Sequence, residues 1–209
     1  MITYKKLTLP ILFFLLISFS ANALELKIPK LGKKGDLKGA KLNFTKIFFE
    51  SSINYLEAQY HLFNALEMND EANKTKKSID FVKDKKNKEG KRLTNAFTTS
   101  SENSTAIEGA LIKEKSLSAE GKVHYAKSLP YAIKGLILMI ELPPEANQLL
   151  QTIKADPTAA LSMADFIKVL PEIPGYVSSA QKVVTLIVTG AKSREVEGAD
   201  DATKALGEL

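Results

Sequence analysis

Cysteine and tryptophan are absent from this 209-residue sequence, and histidine occurs only twice. Without cysteine the chain can form no disulfide, no thiolate nucleophile and no cysteine-based zinc site. Two histidines are too few for a histidine-rich metal site. The sequence signatures of α/β-hydrolases, zinc proteases, dinucleotide-binding enzymes and P-loop NTPases are also missing. We therefore expect a protein that is not an enzyme and that uses no cofactor.

The composition is that of an ordinary globular protein. Apolar residues make up 44% of the chain, and the formal net charge is +5. The length suits one domain with a single hydrophobic core. Lys5 and Lys6 lie in a segment that we expect to be removed, and subtracting these two charges from +5 leaves +3. A net charge this small does not indicate a nucleic-acid-binding protein.

The N-terminal segment has the three parts of a secretory signal peptide. Lys5 and Lys6 form a positive start, residues 7–19 form a short apolar core, and Ala21-Asn22-Ala23 is an A-x-A cleavage site. The apolar core is shorter than the ~20 residues that a membrane-spanning helix needs. We expect residues 1–23 to be cleaved as a signal peptide. The mature protein would then be periplasmic or secreted, with no transmembrane anchor.

The rest of the chain divides by composition into three parts. Residues 24–41 hold several glycines and lysines without a sustained apolar period, which predicts a basic, flexible lead-in. Residues 42–191 carry the periodic apolar pattern of a helical domain. Residues 192–209 are polar and predict a fraying or disordered tail. The basic segments 24–41 and 74–92 could contact an acidic surface such as lipid headgroups, or could simply face water.

Two segments give the clearest helical patterns. In residues 42–68 the main apolar residues recur at steps of three and four, which predicts a helix buried on one side by its neighbours. Residues 118–142 repeat this pattern and include an all-apolar stretch, which predicts a central helix; Pro130 should kink or restart it. We expect these two helices to pack antiparallel. The apolar residues of the first are Phe49, Ile53, Leu56, Tyr60 and Phe63.

The remaining segments predict shorter elements. Residues 69–92 form either an exposed helix or a hairpin, and the polar run 98–105 predicts a turn before a short helix over 106–117. Further helices are expected over 145–155, 158–170 and 176–191. Within the last, residues 182–190 are rich in valine and could instead be a strand. The fold class predicted is all-α, an irregular bundle of five to seven helices with flexible termini.

Both histidines follow a glutamate by four residues. Glu57 precedes His61 in EAQYH, and Glu120 precedes His124 in EGKVH. On a helix this spacing places the carboxylate and the imidazole on one face. If the two helices are neighbours, the four residues could bind a divalent metal ion, although di-metal bundles use Glu-x-x-His and further glutamates. The ordinary alternative, two exposed i, i+4 pairs, is favoured.

Three functions remain open on the sequence. The leading hypothesis is a non-enzymatic interaction or scaffolding protein of the cell envelope, whose partner would be another envelope protein. An alternative is a binder of a lipid or other apolar small molecule, held in a cavity between helices. The third is a metal-dependent protein that uses the Glu-His pairs. Aromatic residues near the two main helices could line the cavity, or could simply form the core: Phe44, Phe48, Phe49, Tyr60, Phe63, Tyr125 and Tyr131.

Overall fold

The protein is described by a computed structural model that covers residues 36–113 and 116–209. The predicted signal peptide, residues 1–23, and residues 24–35 of the predicted lead-in lie outside the described residues. Residues 37–41 of that lead-in are helical, so the first helix begins earlier than predicted. In the two described ranges the chain forms nine α-helices and one 3-10 turn and contains no strand, so the predicted all-α fold is confirmed. The helices are α1 Leu37–Ala65, α2 Asn69–Lys83, α3 Glu89–Lys113, α4 Ala119–Ile140, α5 Leu142–Lys154, α6 Pro157–Ser162, α7 Ala164–Val169, α8 Ile173–Ser193 and α9 Ala199–Gly207, with the 3-10 turn at Leu170–Glu172 between α7 and α8.

Helix α1 lies at the centre of the bundle. It packs most extensively against α4 and also contacts α2, α3 and α5. Its large side chains at Phe44, Phe48, Tyr55 and Leu62 are fully buried. The prediction of a helix covered on one side fits the first half of α1, where Leu42, Lys46 and Glu50 are exposed. It was too narrow for residues 51–65, which four helices cover, burying even polar residues such as Gln59.

Helices α1 and α4 pack antiparallel, as expected. Gly121, near the start of α4, lies against the backbone carbonyl of Ala65 at the end of α1. Gly135, near the end of α4, lies against the backbone of Ser51 and Tyr55. A Cβ atom added at either glycine would come within 3.0 Å or less of α1 backbone. The missing side chains therefore allow the two helix backbones to approach closely.

Local signals explain several helix ends. The side chain of Asp36 accepts a hydrogen bond from the Lys38 amide, and Ser118 accepts one from the Gly121 amide, so both act as N-caps. Pro143 lies in the first turn of α5, where a missing amide hydrogen is tolerated. Helix α4 continues through Pro130, which is exposed. The expected restart of the helix at this proline does not occur.

The polar run 98–105 is not a turn. It lies inside α3, which spans the segment predicted as a turn and most of the short helix predicted after it. Ser100, Asn103 and Ser104 from this run are buried against α1 and α8. Their side chains find hydrogen-bond partners in other helices, which compensates for their weak intrinsic preference for helix.

Two other assignments near the C-terminus are now settled. Residues 182–190 are helical and form part of α8. Residues 192–209 do not form the predicted disordered tail, because α8 extends to Ser193 and α9 follows it. Gly198 has φ 81°, a left-handed conformation that glycine adopts readily and that turns the chain into α9. Val196, Ala199 and Ala202 are buried where α9 packs on α4 and α8.

Candidate functional site

The Glu-His pairs do lie on neighbouring helices. His61 on α1 and His124 on α4 come together because the antiparallel α1–α4 contact pairs residue 65 with residue 121. The centroids of the two imidazole rings are 5.9 Å apart, with 34° between the ring planes. Both rings are partly buried. The sequence spacing therefore predicted correctly that these two side chains could meet.

Two tyrosine rings contact the His61 imidazole. The Tyr131 ring stacks on His61, with centroids 5.7 Å apart and planes 22° apart. The centroid of the Tyr60 ring lies 5.3 Å from that of His61, with 56° between the ring planes. Tyr131 keeps 39% of its surface exposed, so the cluster reaches the protein surface. We call Tyr60, His61, His124 and Tyr131 the histidine cluster.

One nitrogen of each imidazole lacks a hydrogen-bond partner. Within the described ranges, Nδ1 of His61 and Nδ1 of His124 are both buried and unpaired. Burial is the main cause that lowers the pKa of His61 below its ordinary 6.5, and His124 and Lys127 lower it further, while Glu57 opposes them. His61 is therefore neutral at pH 7, the form in which imidazole can bind a metal ion.

The two glutamates do not complete a metal site. The Glu57 carboxylate forms an ion pair with Lys83 of α2, with 2.6 Å between Oε1 and Nζ. Glu120 is exposed in the first turn of α4. Among residues 36–113 and 116–209, no group of three or more histidine, aspartate or glutamate side chains is placed to hold a metal ion. The four-residue site stays a prediction, and only its histidines are in contact.

Most of the aromatic residues considered for a ligand cavity belong to the core. Phe44, Phe48, Phe63 and Tyr125 are fully buried and packed against other core side chains. Phe49 is partly buried, with the Arg92 guanidinium over its ring at 4.2 Å. Two open surface depressions occur elsewhere, one of about 380 Å³ on α8 and one of about 420 Å³ beside Phe81. Neither depression is lined by these seven aromatic residues.

A buried polar network, which the sequence did not reveal, joins α1, α2, α3 and α8. Gln59 is its centre: its amide nitrogen donates to the Ser100 carbonyl at 2.9 Å, and its amide oxygen accepts from Asn103 at 3.0 Å. The remaining bonds join the Tyr55 and Ser104 hydroxyls, the Ser100 and Tyr176 hydroxyls, and Asn103 and Thr75. Because its members satisfy one another, the network fixes helix register and offers no open binding position.

A basic surface extends from Lys74 in α2 through the following loop to the start of α3. Its six lysines are all exposed, and within the described ranges none of them forms an ion pair. Two nearby acids are engaged in other ion pairs, Asp80 with Lys76 and Glu89 with Lys41, and the Asp84 carboxylate accepts a hydrogen bond from the Lys86 amide. We call this set the α2–α3 basic surface: Lys74, Lys77, Lys85, Lys86, Lys88 and Lys91.

The single arginine of this region takes no part in the basic surface. Arg92 lies over the Phe49 ring, and its Nε donates to the Val82 carbonyl at 2.6 Å. Its guanidinium therefore ties α3 to α1 and α2.

In the ranges that the structure covers, no helix combines the length and apolar character needed to cross a bilayer.

Comparison with protein-family models, with curated proteins and with solved structures gave no match.

Proposed function

We propose that this protein is an exported, non-enzymatic interaction protein of the cell envelope that attaches to an anionic membrane surface. The observation that carries the proposal is the α2–α3 basic surface. Its six unpaired lysines are contributed by one continuous stretch of chain, residues 74–91. Clusters of four to eight basic residues of this kind bind anionic lipid headgroups, with about 1 kcal/mol contributed by each lysine near the surface.

The kind of basic residue favours a membrane over a protein partner. Protein interfaces are enriched in arginine and aromatic residues and depleted in lysine. Here the exposed cations are all lysines, and the nearby Arg92 is turned onto Phe49. A lysine ammonium is a point charge without the planar fork of arginine, so it suits a diffuse layer of phosphate groups. The large exposed apolar side chains all lie outside residues 69–92, which supports electrostatic attachment without insertion.

The site of action follows from the N-terminal pattern. A signal peptide over residues 1–23 would deliver the chain beyond the inner membrane, where anionic headgroups are available. Detection of a mature N-terminus at Leu24 by N-terminal sequencing of an envelope fraction would support this part of the proposal. Recovery of the uncleaved chain from the cytosol would contradict it.

The membrane proposal is tested by cosedimentation with vesicles. The protein should sediment with vesicles that contain phosphatidylglycerol in phosphatidylcholine, and it should stay in solution with phosphatidylcholine alone. Binding should weaken as salt is raised, because the Debye length falls to about 3 Å at 1 M ionic strength. Replacing all six lysines of the α2–α3 basic surface by glutamine should abolish sedimentation.

A matched control removes the same charge elsewhere. Six other exposed lysines outside any ion pair of the described ranges are replaced by glutamine. This variant should retain most of its binding, because local charge density and not net charge holds the protein to the surface. Equal loss in both variants would contradict the proposal, as would the capture of an acidic envelope protein without any vesicle binding. The control residues are Lys46, Lys113, Lys127, Lys154, Lys168 and Lys204.

A further inference from the structure

The histidine cluster holds two buried nitrogen atoms that need a partner. Nδ1 of His61 and Nδ1 of His124 are both inaccessible and unpaired within the described ranges. Buried polar atoms are nearly always hydrogen-bonded, and an exception in a native fold commonly marks an absent water or ion. The two atoms belong to adjacent rings on the two most extensively packed helices. One shared partner could therefore satisfy both.

The ring separation fits a shared metal ion. Imidazole nitrogen lies 2.0–2.1 Å from a bound zinc ion, so two imidazoles on one ion have centroids about 4.5 to 6.4 Å apart. The observed separation of 5.9 Å falls inside this interval. The carboxylates are not needed for this geometry, since Glu57 is paired with Lys83 and Glu120 is exposed.

We propose that His61 and His124 form a two-histidine site for a divalent first-row transition ion, with water in the remaining positions. Neutral imidazole suits copper, nickel and zinc, whereas calcium and magnesium prefer oxygen ligands. The ion joins α1 to α4 near one end of their contact, so its binding stabilises the folded protein. The site differs from the four-residue site that the sequence indicates, because the glutamates are not ligands. It is independent of the α2–α3 basic surface.

The surroundings support the site in two ways. The stacked Tyr131 ring and the neighbouring Tyr60 ring restrict the orientation of His61, as packed neighbours do for metal-binding imidazoles. His61 and His124 are themselves partly buried, which also limits their motion. Lys127 lies near enough to His61 to oppose positive charge, which limits affinity. The site therefore resembles a modest, exchangeable metal site and not a permanent structural one.

The first experiment is isothermal titration calorimetry. The untagged full chain is titrated with copper(II), nickel(II) or zinc chloride in a non-chelating buffer. Each ion should bind at one site per chain, with copper bound most tightly, following the Irving–Williams order. His61→Gln or His124→Gln should each lower the affinity by at least about tenfold, because one of two ligands is lost. Glu120→Gln is the matched control and should leave the affinity within twofold.

The second experiment needs no variant and covers the possibility that the substitutions unfold the protein. The chain has only two histidines, so their imidazole proton resonances are distinguishable by NMR. Substoichiometric copper(II) should broaden both resonances before any others. The proposal is overturned if the unmodified protein binds none of the three ions, if the His61→Gln, His124→Gln double variant binds as well as the unmodified protein, or if the resonances of carboxylate residues broaden first.

Discussion

The hydroxyl oxygens of Tyr55 and Ser104 lie 2.8 Å apart in a fully buried contact between α1 and α3. The tyrosine ring fills the core while its hydroxyl binds a serine from a segment that looks like a surface turn in the sequence. Ser104 also donates to the Ser100 carbonyl and accepts from Gln59. This relationship explains why α3 stays helical through a run of serine, threonine and asparagine.

Removing the Tyr55 hydroxyl should destabilise the protein without changing the fold. Tyr55→Phe keeps the ring and deletes one buried hydrogen bond, so the free energy of unfolding should fall by about 1 kcal/mol. Urea denaturation followed by circular dichroism measures this change. Tyr60→Phe is the control, since Tyr60 is only partly buried, and it should change stability by less than about 0.5 kcal/mol. Equal effects in both variants would show that the buried contact contributes nothing.

Gln59 should be more sensitive than Tyr55, because it serves three partners. Its side chain contacts Ser100, Asn103 and Ser104 at once. Gln59→Leu would leave these buried polar groups short of a partner, at a cost of about 1–3 kcal/mol for each group left unsatisfied. The melting temperature measured by circular dichroism should therefore fall clearly below that of Tyr55→Phe. A melting temperature equal to that of the unmodified protein would contradict the central role of Gln59.

The all-α class was predictable, since the helical period of α1 and α4 is plain in the sequence. The identity of the central helix was not. The second half of α1, residues 51–65, has no exposed residue, because Ser51, Ser52 and Gln59 are buried along with its apolar side chains. A one-dimensional pattern classes these three as surface residues. Helix α9 was missed for a related reason, because its contacts use small alanines in an acidic segment.

The candidate site was predictable only in part. The i, i+4 spacing placed each histidine on the same face as its glutamate, and the antiparallel packing brought the imidazoles together. The sequence could not show that Glu57 would pair with Lys83, because that contact depends on how α2 folds back onto α1. The sequence also could not distinguish Arg92, whose guanidinium lies over the Phe49 ring, from the lysines of the α2–α3 basic surface, which are exposed.

Acid should weaken the fold through His61. Its folded pKa lies below the ordinary 6.5, so the unfolded chain binds a proton more readily. The stabilisation is therefore complete above pH 6.5 and is lost as pH falls through the lowered folded pKa. The groups that act on His61 are Glu57, His124 and Lys127. Denaturation of metal-free protein at pH 7.5 and 5.5 should show a smaller loss for His61→Gln than for the unmodified chain; identical losses would contradict this prediction.

Alkali should weaken the fold through buried tyrosines. Burial raises the pKa of Tyr176 from 10.0 to about 12, and burial raises the pKa of Tyr55 and Tyr125 as well. The folded protein keeps these protons longer, so the stabilisation is present below pH 10 and is lost as pH rises through the folded values. In denaturation curves between pH 9 and pH 11, Tyr176→Phe should show a shallower fall in stability. A slope unchanged by this substitution would exclude Tyr176 as a contributor.

Glu145 should be a site where stability can be gained. It is 8% exposed in the first turn of α5, and its Oε2 has no partner within the described ranges. Burial and then Glu141 raise its pKa, so the protonated form is favoured in the folded state. Stability from this group is present below pH 4.5 and is lost as pH rises through the folded pKa. Glu145→Gln should therefore raise stability by about 1 kcal/mol at pH 7 and have little effect near pH 4.

A substitution at Glu141 is the control for the Glu145 prediction, because Glu141 also raises the pKa of Glu145. Glu141→Gln removes the repulsion but leaves the buried carboxylate, so it should stabilise less than Glu145→Gln at pH 7. Chemical denaturation at the two pH values measures both variants. A loss of stability in Glu145→Gln at pH 7 would mean that the carboxylate has a favourable partner, and would contradict the prediction.

The close approach of α1 and α4 is tested at Gly135. A Cβ atom there would lie 3.0 Å from the Tyr55 amide nitrogen and 3.3 Å from the Ser51 carbonyl oxygen. Both are backbone atoms of a central helix, so they cannot move without shifting α1. Gly135→Ala should lower the free energy of unfolding by about 1–3 kcal/mol, as overpacked substitutions do. Gly109→Ala in α3 meets nothing within 4 Å and should instead stabilise by about 0.5–1 kcal/mol. The two substitutions are chemically identical, so Gly109→Ala controls for the intrinsic effect of replacing a helical glycine. A stabilising effect of Gly135→Ala would contradict the close helix contact.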